Sequence, residues 1–440
     1  MSKGTEVIRR LRTPSLLAVA VTALTMQFAW CETTTCDPMF ESLNSCDATC
    51  DGFPELSNSL FSKISQYRKR LAMRGIQFQG NLTQFYYGNT TGGIEREFRY
   101  SGHGDYVSNI DFGALGIQEG LFLKIRAEHR FGESLAGATG AIFPSNLAAD
   151  LPAADDDRLM MTNFLITQAF SPSFAVFAGK LDTLDGDLNA YAHARGIRQF
   201  SNVGFIANPV TLRTVPYSTL GCGMVVLAED GEPLFNVTVL NATDTADTDG
   251  FSELFADGVV VSSELRLPTT FLNRPGHQLV GGTWSSRNYV ALDQDPRIVL
   301  PSVPIARQSG SWSLYWNCDQ ALVTDRDRDW GFFARAGIAD DDANPISYFL
   351  SAGLGGDSMV RGREGDTWGA GYYYSGTSDE ITPVLQTILG SLGDGQGVEL
   401  FYNARFGSSL FVTADVQVLM PARQRFDSAL VTGIRANLVF

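Results

Sequence analysis

From residue 76 to the C-terminus the chain repeats one pattern: runs of 9–14 residues, rich in Val, Phe, Tyr, Trp and Thr, in which apolar and polar positions alternate. Successive side chains of a β-strand point to opposite faces, so a period of two predicts strands with one greasy and one wet side. The runs predict sixteen strands, at 76–88, 106–116, 120–131, 159–170, 173–182, 221–229, 234–242, 257–267, 277–290, 311–323, 329–339, 345–355, 365–374, 395–406, 409–419 and 428–440. No apolar stretch in this region extends over 18 residues, which excludes spanning helices there.

The connections between these strands alternate in length. Those at 89–105, 132–158, 183–220, 243–256, 291–310 and 375–394 are long, and most of those between them are short; 340–344, shorter than 356–364, breaks the rule. A membrane barrel puts tight turns on its periplasmic side and longer loops outside, whereas a soluble sandwich or propeller has no reason to alternate. The expected fold is therefore all-β: a transmembrane up-and-down antiparallel β-barrel of about 16 strands, preceded by a short periplasmic helix. The last strand places Thr432, Ile434, Ala436, Leu438 and Phe440 on one side and Gly433, Arg435, Asn437 and Val439 on the other. One face suits lipid, the other carries a charge, and the chain ends on an aromatic, the kind of signal by which the barrel-assembly machinery recognises its clients.

The first 75 residues follow different rules. Lys3, Arg9, Arg10 and Arg12 precede the apolar run 15–30, the layout of a secretory signal peptide over residues 1–30; a twin-arginine signal and lipidation at Cys31 are minor variants of the same export reading. Residues 31–56 are polar and unpatterned and hold Cys31, Cys36, Cys46 and Cys50. In an oxidising compartment local disulfides are the simple expectation; the spacing fits no usual zinc finger. Residues 57–75 predict a helix capped by Ser57 or Ser59, with Leu60, Ile64, Tyr67 and Leu71 on one face, Arg68, Lys69, Arg70 and Arg74 towards its C-terminal end, and Gly75 as its stop. The basic cluster reads either as a solvated, dipole-compatible face or as a contact for anionic lipid or cell wall.

Composition narrows the function. Of 440 residues 44 are glycine and 18% are charged, and mean hydropathy is −0.03, which excludes disorder and a helical membrane bundle. A net charge of −15 argues against nucleic acid, whose binding needs a positive footprint. Arginine outnumbers lysine 28 to five, so any site must draw mainly on guanidinium groups.

A charge on the lipid side at mid-bilayer costs about 2–4 kcal/mol for Arg or Lys. Alternation therefore turns Lys124, Arg126, Glu128 and Arg130 inward, along with Glu264 and Arg266, Phe333 and Arg335, Glu399, Phe401, Asn403 and Arg405, Asp415 and Gln417, and Arg435 with Asn437. They form either a self-neutralising ladder of ion pairs or the constriction of a channel. The 183–220 connection is too long for a simple turn and is expected to fold inward, carrying Asp185, Asp187, Asn189, Arg195, Arg198 and Arg213, with Tyr191 and Phe200 as stacking surfaces; a plain surface loop is the other reading. The Asp155-Asp156-Asp157 and Asp340-Asp341-Asp342 triplets and the Asp325/Asp327/Asp329 series read as solvated turns, so neither metal nor cofactor is expected. The sequons at Asn81, Asn89, Asn236 and Asn241 carry no modification in a bacterial barrel.

Several blocks together resemble the carbohydrate-selective outer-membrane porins of the OprB type. These are the stretch 329–376, Arg70-Leu71-Ala72 with Arg74-Gly75-Ile76, Gly179-Lys180-Leu181-Asp182, Pro216-Tyr217-Ser218-Thr219-Leu220-Gly221, Val398-Glu399-Leu400-Phe401-Tyr402-Asn403 and the closing Gly433-Ile434-Arg435. The resemblance spans about residues 57–440; the Cys-rich segment departs from it. It implies a sixteen-stranded barrel with a narrow, arginine-containing channel through which mono- or oligosaccharides diffuse passively across the outer membrane, as a monomer or a trimer. Three other readings stay open. A general porin would use the same fold without sugar preference. A soluble exported sugar-binding β-protein would lack the lipid face. An outer-membrane hydrolase would need a nucleophile beside a histidine such as His129, and no such motif accompanies it.

Overall fold

The computed structural model describes residues 60–152, 157–295, 297, 302–325, 328–381, 386 and 390–440. The signal peptide, the four N-terminal cysteines, Ser57, Ser59, Asp155, Asp156 and Asp327 lie outside the described residues. Among those described, sixteen strands form one closed barrel: β1 (Ile76–Thr91), β2 (Phe98–Asp111), β3 (Leu121–Gly132), β4 (Met160–Ser171), β5 (Phe174–Asp182), β6 (Ser218–Leu227), β7 (Pro233–Asn241), β8 (Val259–Phe271), β9 (Arg274–Val290), β10 (Arg307–Asp325), β11 (Arg328–Ala339), β12 (Ile346–Asp357), β13 (Thr367–Thr377), β14 (Gly395–Phe406), β15 (Leu410–Met420) and β16 (Ala429–Val439). Each pairs antiparallel with its sequence neighbour, and β16 closes on β1 from Asn81↔Val439 to Thr91↔Leu430. Closure leaves no sheet edge to be satisfied by lipid, which offers no hydrogen bonds.

The predicted alternation of faces is present. On β16, Arg435 and Asn437 are buried within the bore while Ile434, next to Arg435, is 56% exposed on the outer surface. Ile166, Leu265, Leu314, Leu350, Leu400 and Val416 are likewise exposed apolar side chains of the strands. The helix α1 (Leu60–Ala72) precedes β1; Arg68 Nη2 donates to Phe78 O at 2.8 Å. Gly75 ends the turn at φ +87°, where a Cβ would sit 2.7 Å from Ala114 Cβ and 2.8 Å from Asp111 O. Only glycine fits there.

One strand lies elsewhere than expected. β2 spans Phe98–Asp111 rather than 106–116. Its first half holds Gly102 and Gly104, which in sequence resemble a loop. In the barrel each glycine lies under an aromatic ring of β3: a Cβ on Gly102 would meet Phe131 at 2.0 Å, and one on Gly104 would meet His129 at 2.2 Å. The missing side chains make room for the rings. As a result the first connection, 92–97, is shorter than the second, 112–120, so the alternation of loop lengths fails at that pair and again at 340–345 against 358–366.

Packing inside the barrel is one-sided. The apolar core joins residues of the 133–159 and 183–217 connections, among them Leu135, Phe143, Ile197, Phe200, Val203, Phe205 and Val210, to the inner wall at Phe85, Tyr87, Phe333, Phe349, Tyr373 and Phe401. Those wall residues lie on β1 and on β11–β14.

Candidate functional site in the barrel lumen

On the β2–β6 side the wall meets the start of the 183–217 connection in a chain of ion pairs. The Asp182 side chain accepts from Leu184 N at 3.2 Å and so caps the short 3₁₀ turn Thr183–Gly186. That turn presents Asp185 to β3. Arg126 then donates to Asp105 (3.0 Å), Asp182 (3.1 Å) and Asp185 (2.5 Å), and Lys124 Nζ donates to the other oxygen of Asp185 at 2.5 Å. Burial alone would raise the Asp185 carboxyl; Arg126, Lys124 and Arg195 outweigh it and hold the group below the usual carboxylate range. Arg195, in the left-handed region at φ 55°, reaches Asp182 at 2.7 Å, Glu128 at 2.6 Å and Tyr217 Oη at 3.0 Å. Glu128 is saturated: it also takes bonds from Tyr217 at 2.5 Å and Thr162, with His103 Nε2 at 3.1 Å.

Across the bore the same connection is bound to the opposite wall. Arg335 donates to Asp187 (2.8 Å), Ala192 O (2.5 Å) and Phe205 O (2.7 Å), and Asn189 bridges Asn317 and Cys318 O. Arg435 donates to Gly196 O at 2.5 Å and to Gln199 O. Glu399 accepts from Ser201 N (2.6 Å) and Asn202 N (3.0 Å), and Gln417 accepts from Asn202 Nδ2 (3.1 Å) while donating to Ser145 O of the 133–159 connection at 2.8 Å. A charged group bonded to backbone in this way satisfies loop amides and carbonyls that no sheet partner serves. Phe200 completes the contact, its ring centroid 4.8 Å from Phe205, 5.2 Å from Phe333 and 4.9 Å from Phe401.

What remains open is a cavity of about 4190 Å³. Lys124, Arg126, Arg198, Arg213, Glu264, Arg266 and Arg405 line it. Glu128, Arg130, Arg195, Phe333, Arg335, Glu399 and Arg435 are not among its lining residues. Several of these hold the connection in place, and Arg130 donates to Asp150 O at 3.3 Å. The expected stacking surfaces, Tyr191 and Phe200, are buried at 5% and 0% exposure, because the loop needs its rings to pack on the wall. Rings that do face the cavity include those of Tyr217 and Tyr315, which alternation alone did not single out. Tyr315 donates to Glu264 at 2.7 Å, and Arg266 pairs with Glu232. Arg213 donates to Ala343 O and lies 5.0 Å over the ring of Tyr289; Arg198 lies 5.0 Å over Phe411. Cys222 is exposed and Cys318 buried, both as free thiols, and His129 stacks on Tyr106 and Phe131. No group that could hold a metal occurs among the described residues.

A closed sixteen-stranded antiparallel barrel, apolar outside and ionic within, is the architecture of an outer-membrane porin. The model of the "Carbohydrate-selective porin, OprB family" matches residues 95–440, and the chain belongs to that family. Solved structures agree in fold. The high-pH structure of Pseudomonas putida OprB is 17% identical with a TM-score of 0.73, covering 86% of this chain and 97% of that one. The low-pH structure of the same porin is 14% identical with a TM-score of 0.53, covering 88% and 100%. No curated protein sequence matches the chain.

Proposed function

We propose that this porin passes sugars by diffusion along the β3–β10 side of the bore, narrowed by the infolded 183–217 connection. The observation that carries this reading is the composition of the remaining surface. Lys124, Arg126 and Asp185 are already paired, and beside them Asn163, Asn236, Asn317, Tyr217 and Tyr315 face the same cavity. Paired charges and neutral hydrogen-bonding groups match hydroxyls without trapping a mobile ion, which suits weak, multi-site passage. Arg68 and Lys69 of α1 line the cavity as well, which supports a helix at the periplasmic mouth. Phe440 exchanges backbone hydrogen bonds of 2.9 Å with Gly80 and leaves its ring half-exposed, a geometry that supports recognition by the barrel-assembly machinery.

The test is single-channel recording in planar bilayers. A small, ungated conductance that falls on adding glucose or an oligosaccharide is the expected result. A conductance unmoved by every sugar tried would leave a general diffusion porin, the reading favoured by the burial of Tyr191 and Phe200 away from the channel.

A further inference from the structure

Lys180 occupies an unexpected face. Along β5 Phe177 lines the cavity, Ala178 pairs in register with the outward Ile166, and Leu181 packs with Leu240 and Val260, which places Ala178 and Lys180 on the outer side; the strand's last residue, Asp182, turns back into the bore. Lys180 pairs in register with Leu220, whose neighbours on the same face, Cys222 and Met224, are exposed. Yet Lys180 is only 4% exposed. Its ammonium is capped by three carbonyls of the β7–β8 connection (242–258): Thr245 O at 2.6 Å, Thr248 O at 2.6 Å and Ala246 O at 3.4 Å. The connection begins at the lumen, where Ala242 and Asp244 line the cavity, and from Thr245 onward it turns away from the bore to Lys180. It bends over the rim and lies on the outer wall. Two further contacts pin it there. A Cβ on Gly250, at φ +81°, would lie 3.2 Å from Leu220 Cγ, and Phe255 N donates to the outward-facing Asn241 Oδ1 at 2.8 Å.

The residues beside those two pins are large and bare. Phe251 is 70% exposed, Phe255 60% and Leu254 39%. Phe255 also holds φ +61°, a backbone region that bulky side chains rarely enter unless their surroundings impose it. The strands beneath and beside this loop present Met224, Val239 and Leu265 as exposed apolar side chains, part of the outer surface that an outer-membrane barrel turns to lipid.

We propose that the 242–258 connection is a membrane-seated foot: Lys180 latches it onto the wall, and Phe251, Leu254 and Phe255 insert among the acyl chains of the outer leaflet. This fixes the loop away from the channel mouth and is independent of what the bore conducts. A nitroxide attached at Phe251→Cys or Phe255→Cys, in full-length protein with the native cysteines replaced by alanine and reconstituted in phospholipid vesicles, reads its surroundings directly. Collisions with oxygen should exceed those with an aqueous nickel chelate, and a label at the exposed turn residue Asp230→Cys should show the reverse. Adding Lys180→Met should move the Phe251 label several-fold towards nickel contact while sugar-dependent conductance stays unchanged. Labels at both positions that favour nickel would overturn the proposal, as would labels shielded from both reagents with dipolar broadening between copies, which would mark a subunit interface instead. An oxygen-rich label that ignores the Lys180 change would overturn the latch.

Discussion

Basic residues that look alike in sequence do different work in the bore. Arg335 and Arg435 are fully buried and bond mainly to loop carbonyls, while Lys124 keeps 30% of its side chain exposed to the cavity. Truncating Arg435 strands Glu399 and Asp415 in a buried environment, a loss of about 3–5 kcal/mol for groups of this kind. Arg435→Ala should therefore lower the temperature at which the barrel loses its heat-modifiable migration on gels and should make the open channel noisier. Lys124→Ala should leave that temperature almost unchanged and weaken the block by sugar. Equal thermal effects of the two substitutions would contradict the division between clamp and lining. Alternation was enough to turn every one of these residues inward. It could not say which would meet loop backbone, because that depends on a segment more than a hundred residues away in sequence from Arg335 and Arg435.

The strands of the barrel are legible because a period of two is a local property, and the sixteen runs read from it correspond one to one with β1–β16. β2 slips by several residues where Gly102 and Gly104 look like turn signals, and only the rings of Phe131 and His129 on β3 explain them. The 183–217 connection shows the same limit from the other side. Its length is the ground for expecting an inward fold rather than a plain surface loop, but Tyr191 and Phe200, expected as stacking surfaces, pack on the wall instead. Phe200, with no exposed surface, anchors that contact. Phe200→Ala should cost about 3–5 kcal/mol locally, and because the clamps from Arg335 and Arg435 remain, the expected phenotype is a loosened loop: higher and more variable conductance with the barrel still folded. A conductance identical to the parent would mean the ring does not hold the loop.

For the molecule as a barrel in lipid, the decisive contrast is between neighbouring positions on one strand. Ile434 faces outward at 56% exposure and Arg435 faces inward at 0%. Ile434→Arg should destabilise the reconstituted barrel by about 2–4 kcal/mol relative to the same change near either rim, measured by urea unfolding in vesicles; a neutral result would place Ile434 away from lipid. The amino-acid order alone settled the strand count, the two faces of the barrel wall and its membrane setting, since each follows from near-neighbour alternation and the cost of charge in hydrocarbon. Tertiary structure decided which inward charges bond to loop backbone and which line the cavity, and it bonded one long connection to Arg335 and Arg435 of the inner wall and another to Lys180. Those outcomes depend on contacts between residues far apart in the chain, where one guanidinium or ammonium finds a particular carbonyl, and no local pattern encodes such a pairing.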